Sequence, residues 1–249
     1  MCIRDRWHAG SYDPADFLGR LIGDAPWVRH AERSMFEVFD DNFFATDFHL
    51  DMFCREFGYE KFELMNTGKA HIVGWPMEYL QHELAEHDNA FKENIILFPH
   101  RLAPEKQVDI FKDLAESMPE YDWIVCQEQT LTKEEYHELL GRAKIVFSAN
   151  TQETLGISCY EGALVGANPM VPDRLSYSEM YQSEFLYPSD WTEDFDSYIL
   201  NKDLIMAHIK KVLGENDKSL IDLQAHSLTE NFFSGKALYE VIRGRANGN

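Results

Sequence analysis

From residue 93 onward the chain alternates short apolar runs with stretches of helical periodicity, and nothing else in the sequence constrains the fold as much. Asn94–Phe98 reads NIILF, the pattern of a strand buried on both faces. Trp123–Cys126 and Lys144–Ser148 (KIVFS) repeat it, and Met170-Val171 adds a short fourth strand. Pro104 opens a helix at a favoured early position, with Val108, Ile110, Phe111, Leu114 and Met118 on its apolar side. Thr132 followed by Glu135 is a capping-box pattern, and Tyr136, Leu139 and Leu140 of that helix face inward. A further helix covers Ser158–Val165, and residues 191–246 read as mainly helical, punctuated by Gly214 and Gly235. Strands alternating with helices predict an α/β fold with a doubly wound parallel sheet, in which ligands sit beyond the carboxyl ends of the strands.

The upstream third repeats the pattern less cleanly. Residues 7–40 have helix-like spacing, Asp40-Asp41-Asn42 breaks it, and Phe43-Phe44-Ala45 is a short apolar run. Thr46-Asp47 then begins a helix that ends at Gly58, and Ala70–Val73 is a strand stopped by Gly74-Trp75-Pro76. The organisation expected is therefore residues 7–75 as part of one α/β domain, 76–92 as a linker, 93–235 as a second domain and 236–249 as a tail. The first six residues (MCIRDR) are unlike the rest of the chain and read as a cloning or assembly scar; if they are one, the true N-terminus is missing.

Charge and cysteine usage narrow the partners. Lys+Arg is 23 against Asp+Glu 43, a net charge of −20 that repels polyanions, and no local basic patch offsets it. Nucleic acid is not an expected partner. No apolar run approaches the ~20 residues of a bilayer span. Cys2, Cys54, Cys126 and Cys159 show no CxxC spacing, which favours reduced thiols and a cytoplasmic location.

Two strand ends carry chemistry. After NIILF come His100-Arg101-Leu102-Ala103-Pro104-Glu105-Lys106, where Arg101 in the loop and Lys106 in the first helical turn can converge on one anion. Charge-assisted contacts of that kind contribute roughly 1.5–3 kcal/mol each. The alternative is a solvated helix start. After KIVFS come Thr151-Gln152-Glu153-Thr154-Leu155-Gly156-Ile157-Ser158-Cys159-Tyr160-Glu161. Gly156 permits close backbone approach, the following helix turns its free amides to the crevice, and Glu161 suits a diol such as ribose. Glu153 and Glu161 on either side of an anion site match a molecule hydroxylated at both ends and phosphorylated between, the layout of a nucleotide sugar. Here the alternative is Glu153 as a helix cap and Glu161 as an exposed side chain.

Arg101 with Lys106, then Glu153 and Glu161 with Gly156 between them, resembles the donor-binding pattern of retaining GT-B glycosyltransferases of family 4, in a Rossmann-like C-terminal domain. Gly162–Val171 resembles that family's helix-to-strand segment, and Pro172–Glu179 is similar to a branch that includes the tRNA-queuosine mannosyltransferases. The resemblance spans roughly residues 70–235, with residues 7–75 similar to the last part of an N-terminal acceptor domain. It implies that Arg101 and Lys106 hold the donor diphosphate and neutralise the leaving group. It also implies that Glu153 binds the transferred sugar, that amides near Leu155, Gly156 and Ile157 meet sugar and phosphate, and that Glu161 holds the ribose. His8, in His8-Ala9-Gly10-Ser11, is a possible acceptor-side contact. The implied chemistry is sugar transfer from a nucleotide-sugar donor to an unidentified acceptor with retention at the anomeric carbon. It needs no metal and no cofactor, because fixed positive groups stabilise the developing charge. The sequence departs from the pattern at Gln127-Glu128-Gln129-Thr130, where relatives carry a Gly-rich turn. Two other readings remain open: a non-catalytic nucleotide-sugar-binding module or truncated remnant, and a tRNA-directed transferase, which the net charge opposes.

Three further motifs carry no function. His82 and His87 of HELAEH lie about 140° apart on a helix and cannot share a metal. Asp194-Phe195-Asp196 falls in a helix rather than after a strand, and Arg243-Gly244-Arg245 reads as a frayed end.

Overall fold

A computed structural model describes residues 4–247 other than 22–24, 90 and 216. The chain divides into two compact units: Met1–Met77 with Gln152–Leu155 and Thr229–Asn249, and Glu78–Thr151 with Gly156–Leu228.

In the first unit, β1 (Arg4–Arg6), β2 (Asp41–Phe44) and β3 (Ala70–Ile72) form a parallel sheet in that order. Residues Arg4–Arg6, part of the stretch that reads as a scar, thus supply an edge strand, with Arg6 opposite Phe43. Helices α1 (Phe17–Leu21), α2 (Trp27–Val38), α3 (Asp47–Phe57) and α4 (Lys61–Asn66) fill the connections. Thr46 caps α3 by accepting a hydrogen bond from the His49 amide at 3.2 Å. The core is aromatic: Trp7 stacks on Phe44, and Phe36, Phe53 and Phe57 pack around them. Each such ring, fully buried, contributes roughly 2–3 kcal/mol relative to exposure. The helical spacing stops before Asp40, as expected, with α2 ending at Val38, but Asp41 and Asn42 belong to the strand that follows: they form the first half of β2, fully buried. Their polar groups find partners: His71 Nε2 lies 2.9 Å from Asp41 Oδ1, and Trp7 Nε1 donates to Asn42 Oδ1 at 2.9 Å.

In the second unit, the interval 76–92 contains α5 (Leu80–Leu84) and a 3-10 turn over Ala85–His87. The sheet comprises β4 (Ile95–Phe98), β5 (Asp122–Val125), β6 (Ile145–Phe147), β7 (Asn168–Pro172) and β8 (Leu186–Tyr187). Its order is β5-β4-β6-β7-β8 and every pairing is parallel. The connecting helices are α6 (Val108–Ser117), α7 (Lys133–Arg142), α8 (Ile157–Leu164), α9 (Tyr177–Met180), α10 (Phe195–Glu215) and α11 (Lys218–Asn231). Ile96, Phe98, Ile145 and Phe147 face one layer with Ile110 and Phe111 of α6 and Ile205 and Ile209 of α10. On the opposite layer α8 lies close enough that a Cβ at Gly162 would meet the Val146 side chain. The expected doubly wound α/β sheet is therefore present. α12 (Lys236–Asn247) belongs to the first unit, where Leu238, Val241 and Ile242 pack on Phe43 and Val73.

The sheet order locates the crevice. From β4 the chain goes to β5 on one flank and returns to β6 on the other, so the order reverses between β4 and β6. The loops after these two strands flank the switch point, where doubly wound sheets bind ligands.

Candidate functional site

A cavity of about 450 Å³ opens at the carboxyl ends of β4 and β5 and at the start of α8, lined by Pro99, Cys126, Gln129, Tyr136, Ile157 and Glu161 among others. Every lining residue belongs to the second unit. Two residues singled out in the sequence, Ile157 and Glu161, thus share one cavity. Burial pushes the Glu161 carboxyl above its ordinary value, while a hydrogen bond from Tyr136 and the charge of Lys133 oppose the shift. The Tyr136 hydroxyl donates to Glu161 Oε2 at 2.9 Å. Tyr136 is carried there by α7, whose Thr132–Glu135 capping box forms as the sequence predicts.

Gly156 precedes α8 with φ 70°, a left-handed conformation that favours glycine. A Cβ there would stand 2.6 Å from the Tyr177 ring, so the space beside Gly156 is filled by a tyrosine rather than left open for a ligand. The amides of Ile157 and Ser158 that follow have no acceptor within the helix and begin its positive end. Ser158 Oγ lies 3.4 Å from His100 Nδ1, and His100 Nε2 lies 3.1 Å from the Phe147 carbonyl oxygen. Thr151 N donates to the Glu105 carbonyl oxygen at 2.9 Å. The loops after β4 and β6 are thereby joined.

The cations of the first loop sit differently from the expectation. Pro104–Lys106 is a 3-10 turn, and α6 begins only at Val108, after Gln107 in a left-handed conformation with φ 53°. Gln107 holds that conformation because its side-chain amide donates to the carbonyls of Ala149 and Thr192 at 2.6 and 2.7 Å. Lys106 is consequently buried in the turn instead of projecting from a helix, and Arg101 is exposed and ion-paired with the buried Glu105. Neither lines the cavity.

Glu153 and Leu155 belong to the first unit. Glu153 Oε1 accepts the amides of Thr154 and Leu155 at 3.1 and 3.4 Å, so this carboxylate caps its own loop. Thr46 Oγ1 donates to the Thr154 carbonyl oxygen at 3.2 Å, and Gln152 hydrogen-bonds the buried Asp13. His8 is exposed, its ring edge-on to Trp75 at 4.5 Å.

Sequence reasoning missed Tyr136, His100 and Arg174. Tyr136 reads as one more inward position of an amphipathic helix, with no signal that it meets Glu161. Arg174 donates to the carbonyls of Ala149, Asn150 and Ser189 at 2.7, 2.7 and 2.9 Å, fixing the loop after β6 from below. Cys54, Cys126 and Cys159 are buried free thiols. Among the described residues no helix is long and apolar enough to cross a membrane.

No family model matches the chain. Solved structures do. Alr3699/HepE of Anabaena, solved with UDP and glucose, matches at TM-score 0.59 and 14% identity, covering 98% of this chain and 71% of that one. The pneumococcal O-GlcNAc transferase GtfA, solved with UDP and GlcNAc, matches at TM-score 0.61 and 14% identity, covering 98% and 52%. S. aureus TarM, with UDP and α-GlcNAc-glycerol among its ligands, matches at TM-score 0.62 and 13% identity, covering 96% and 50%. The fold of the chain is that of the GT-B glycosyltransferases, and it spans half to seven-tenths of these three chains.

Proposed function

We propose that the chain is the donor-binding part of a glycosyltransferase that takes a sugar from a nucleotide-sugar donor, and that the donor occupies the cavity of the second unit. The observation that carries this reading is the cavity itself. It stands at the switch point of a doubly wound sheet, its volume lies within the ~300–1,000 Å³ usual for small-molecule sites, and it holds a carboxylate fixed by a tyrosine. In this reading Glu161 accepts hydrogen bonds from the ribose, and the first amides of α8 meet the diphosphate. Arg101, released from Glu105, supplies positive charge with Lys106 to the leaving group. Transfer proceeds with retention and without a metal, the acceptor being unidentified. UDP-sugars are the first donors to try, because HepE, GtfA and TarM were solved with UDP. A reducing, cytoplasmic setting suits the three buried thiols.

Calorimetry with UDP- and GDP-sugars tests this. One donor binds, and Glu161→Ala or Arg101→Ala weakens it more than tenfold. Absence of binding to any nucleotide sugar overturns the proposal. The engaged state of Arg101 and the burial of Lys106 favour a second reading, a binding module without transferase activity. Donor binding with neither hydrolysis nor transfer, insensitive to Arg101→Ala but lost with Glu161→Ala, selects it.

A further inference from the structure

Away from the cavity's lining, the 3-10 turn Ala85–His87 meets the first turn of α7. His87 is more than nine-tenths buried, and its Nε2 has no hydrogen-bond partner among the described residues. That nitrogen faces two carboxylates: Glu134 Oε1 of α7 at 3.6 Å and Glu86 Oε1 at 4.0 Å. The three ligand atoms all lie within 4.8 Å of one another. We infer that Glu86, His87 and Glu134 form a site for one divalent transition-metal ion of the zinc type, independent of the nucleotide-sugar reading.

The geometry fits the ion. Ligands at ~2.0–2.2 Å from a tetrahedral centre stand about 3.4 Å apart, and an imidazole with two carboxylates leaves a fourth position for water. The distances from Nε2 need to close by only a few tenths of an ångström. The glutamates can do this, since their side chains are 77% and 66% exposed, while the imidazole stays fixed. It is fixed because His137, one turn along α7 from Glu134, packs edge-on against its ring at 5.4 Å. Close approach of α7 to the turn also depends on Gly141, where a Cβ would stand 2.2 Å from the His87 carbonyl oxygen. Lys133, the cation beside Glu134, is paired with Glu83 at 2.5 Å. A nitrogen ligand with two oxygens suits zinc, cobalt or nickel and not calcium or magnesium, which call for six or more oxygens or an octahedral shell. The net charge of −20 favours any cation. His82 of the same HELAEH run takes no part. The bound ion ties the turn to the helix end that carries Lys133 and Tyr136 into the cavity.

The test uses the intact chain, stripped with chelator and titrated with Zn²⁺ and Co²⁺. Zn²⁺ binds at one site with micromolar or tighter affinity and raises the Tm. Co²⁺ gives visible d–d bands. His87→Ala weakens Zn²⁺ at least tenfold and abolishes the bands, and His82→Ala changes neither. Glu134→Gln, a near-isosteric change at an exposed position, gives the same loss as His87→Ala. If no Zn²⁺ is taken up, the three groups are a histidine held between carboxylates and the proposal is overturned. Uptake and cobalt bands unchanged in Glu134→Gln mean that Glu134 is no ligand and overturn it equally.

Discussion

Strands β2 and β4 are both fully buried, yet β2 begins with Asp41-Asn42 whereas β4 is Ile95-Ile96-Leu97-Phe98 throughout. The first unit tolerates a polar interior because its buried groups have partners. The Asn42 side-chain amide donates to the carbonyls of Phe36 and Lys69 at 3.2 and 3.1 Å, and Trp7 supplies a donor to its oxygen. Those partners also fix register, since a slip of one residue would turn both side chains away from them. In the second unit the interior is apolar, and buried polar groups such as His100 and Ser148 gather beyond the strand ends. One sheet spends its polar chemistry on holding itself together, and the other keeps it at the rim where a ligand can use it.

The sharpest way to break that contrast is to exchange the two interiors. Leu97→Asn places an amide where neighbouring positions are Ile96 and Phe98, loses the packing of a leucine and costs about 4 kcal/mol. Asn42→Leu removes the partner of the Trp7 donor and of the Phe36 carbonyl, while the Lys69 carbonyl keeps the residue-42 backbone amide, and costs about 2 kcal/mol. Urea denaturation of both variants measures the difference. No loss in Asn42→Leu would mean that the polar partners in β2 do nothing special.

Acid sharpens the same comparison. Burial, with a smaller push from the charge of His8, holds His49 of the first unit down at about 3, against 6.5 for a free imidazole. Its Nε2 lies 2.7 Å from the Tyr12 hydroxyl, and His49 is completely buried. Below pH 6.5 the unfolded chain binds a proton that the folded chain refuses, so stability is present above that pH and is lost as pH falls towards 3. The loss is on the order of a few kcal/mol at the acid end. Hydrogen exchange, corrected for intrinsic rates, shows β2 amides losing protection between these values before β4 amides do. His49→Gln, which keeps an acceptor for Tyr12, flattens that part of the profile. If β4 loses protection first, acid lability lies elsewhere.

The same contrast decides how much of the molecule was legible in the sequence. A parallel strand buried on both faces must be an apolar run, so β4 and β6 stand out, and with them the loops after their ends. Only the second half of β2 stood out, as Phe43-Phe44; its first half hid because it is polar and its partners, Trp7, Phe36 and Lys69, come from distant positions. Gln107 hid for a similar reason: its left-handed turn is held by carbonyls at 149 and 192, and without them Pro104 reads as the start of one continuous helix. Glu161 was legible as a carboxylate near a strand end, but its partner Tyr136 arrives on a different helix. Local pattern encodes elements. Pairings across elements are not written in any one window.

The smallest effect is the most specific to the rim. Tyr136→Phe keeps the ring in place and removes only the hydroxyl that donates to Glu161. Because that bond holds the carboxyl down against burial, the variant moves the Glu161 pKa further up, which carbon NMR of the side-chain carboxyl reads directly. Donor affinity falls about fivefold, ~1 kcal/mol, less than the loss on removing Glu161 itself. Stability of the first unit stays unchanged, because Tyr136 contributes nothing to β2. An unshifted carboxyl would mean that Glu161 owes its state to burial and Lys133 alone. The tyrosine would then be packing, and α7 would serve the cavity only through the cation at its start.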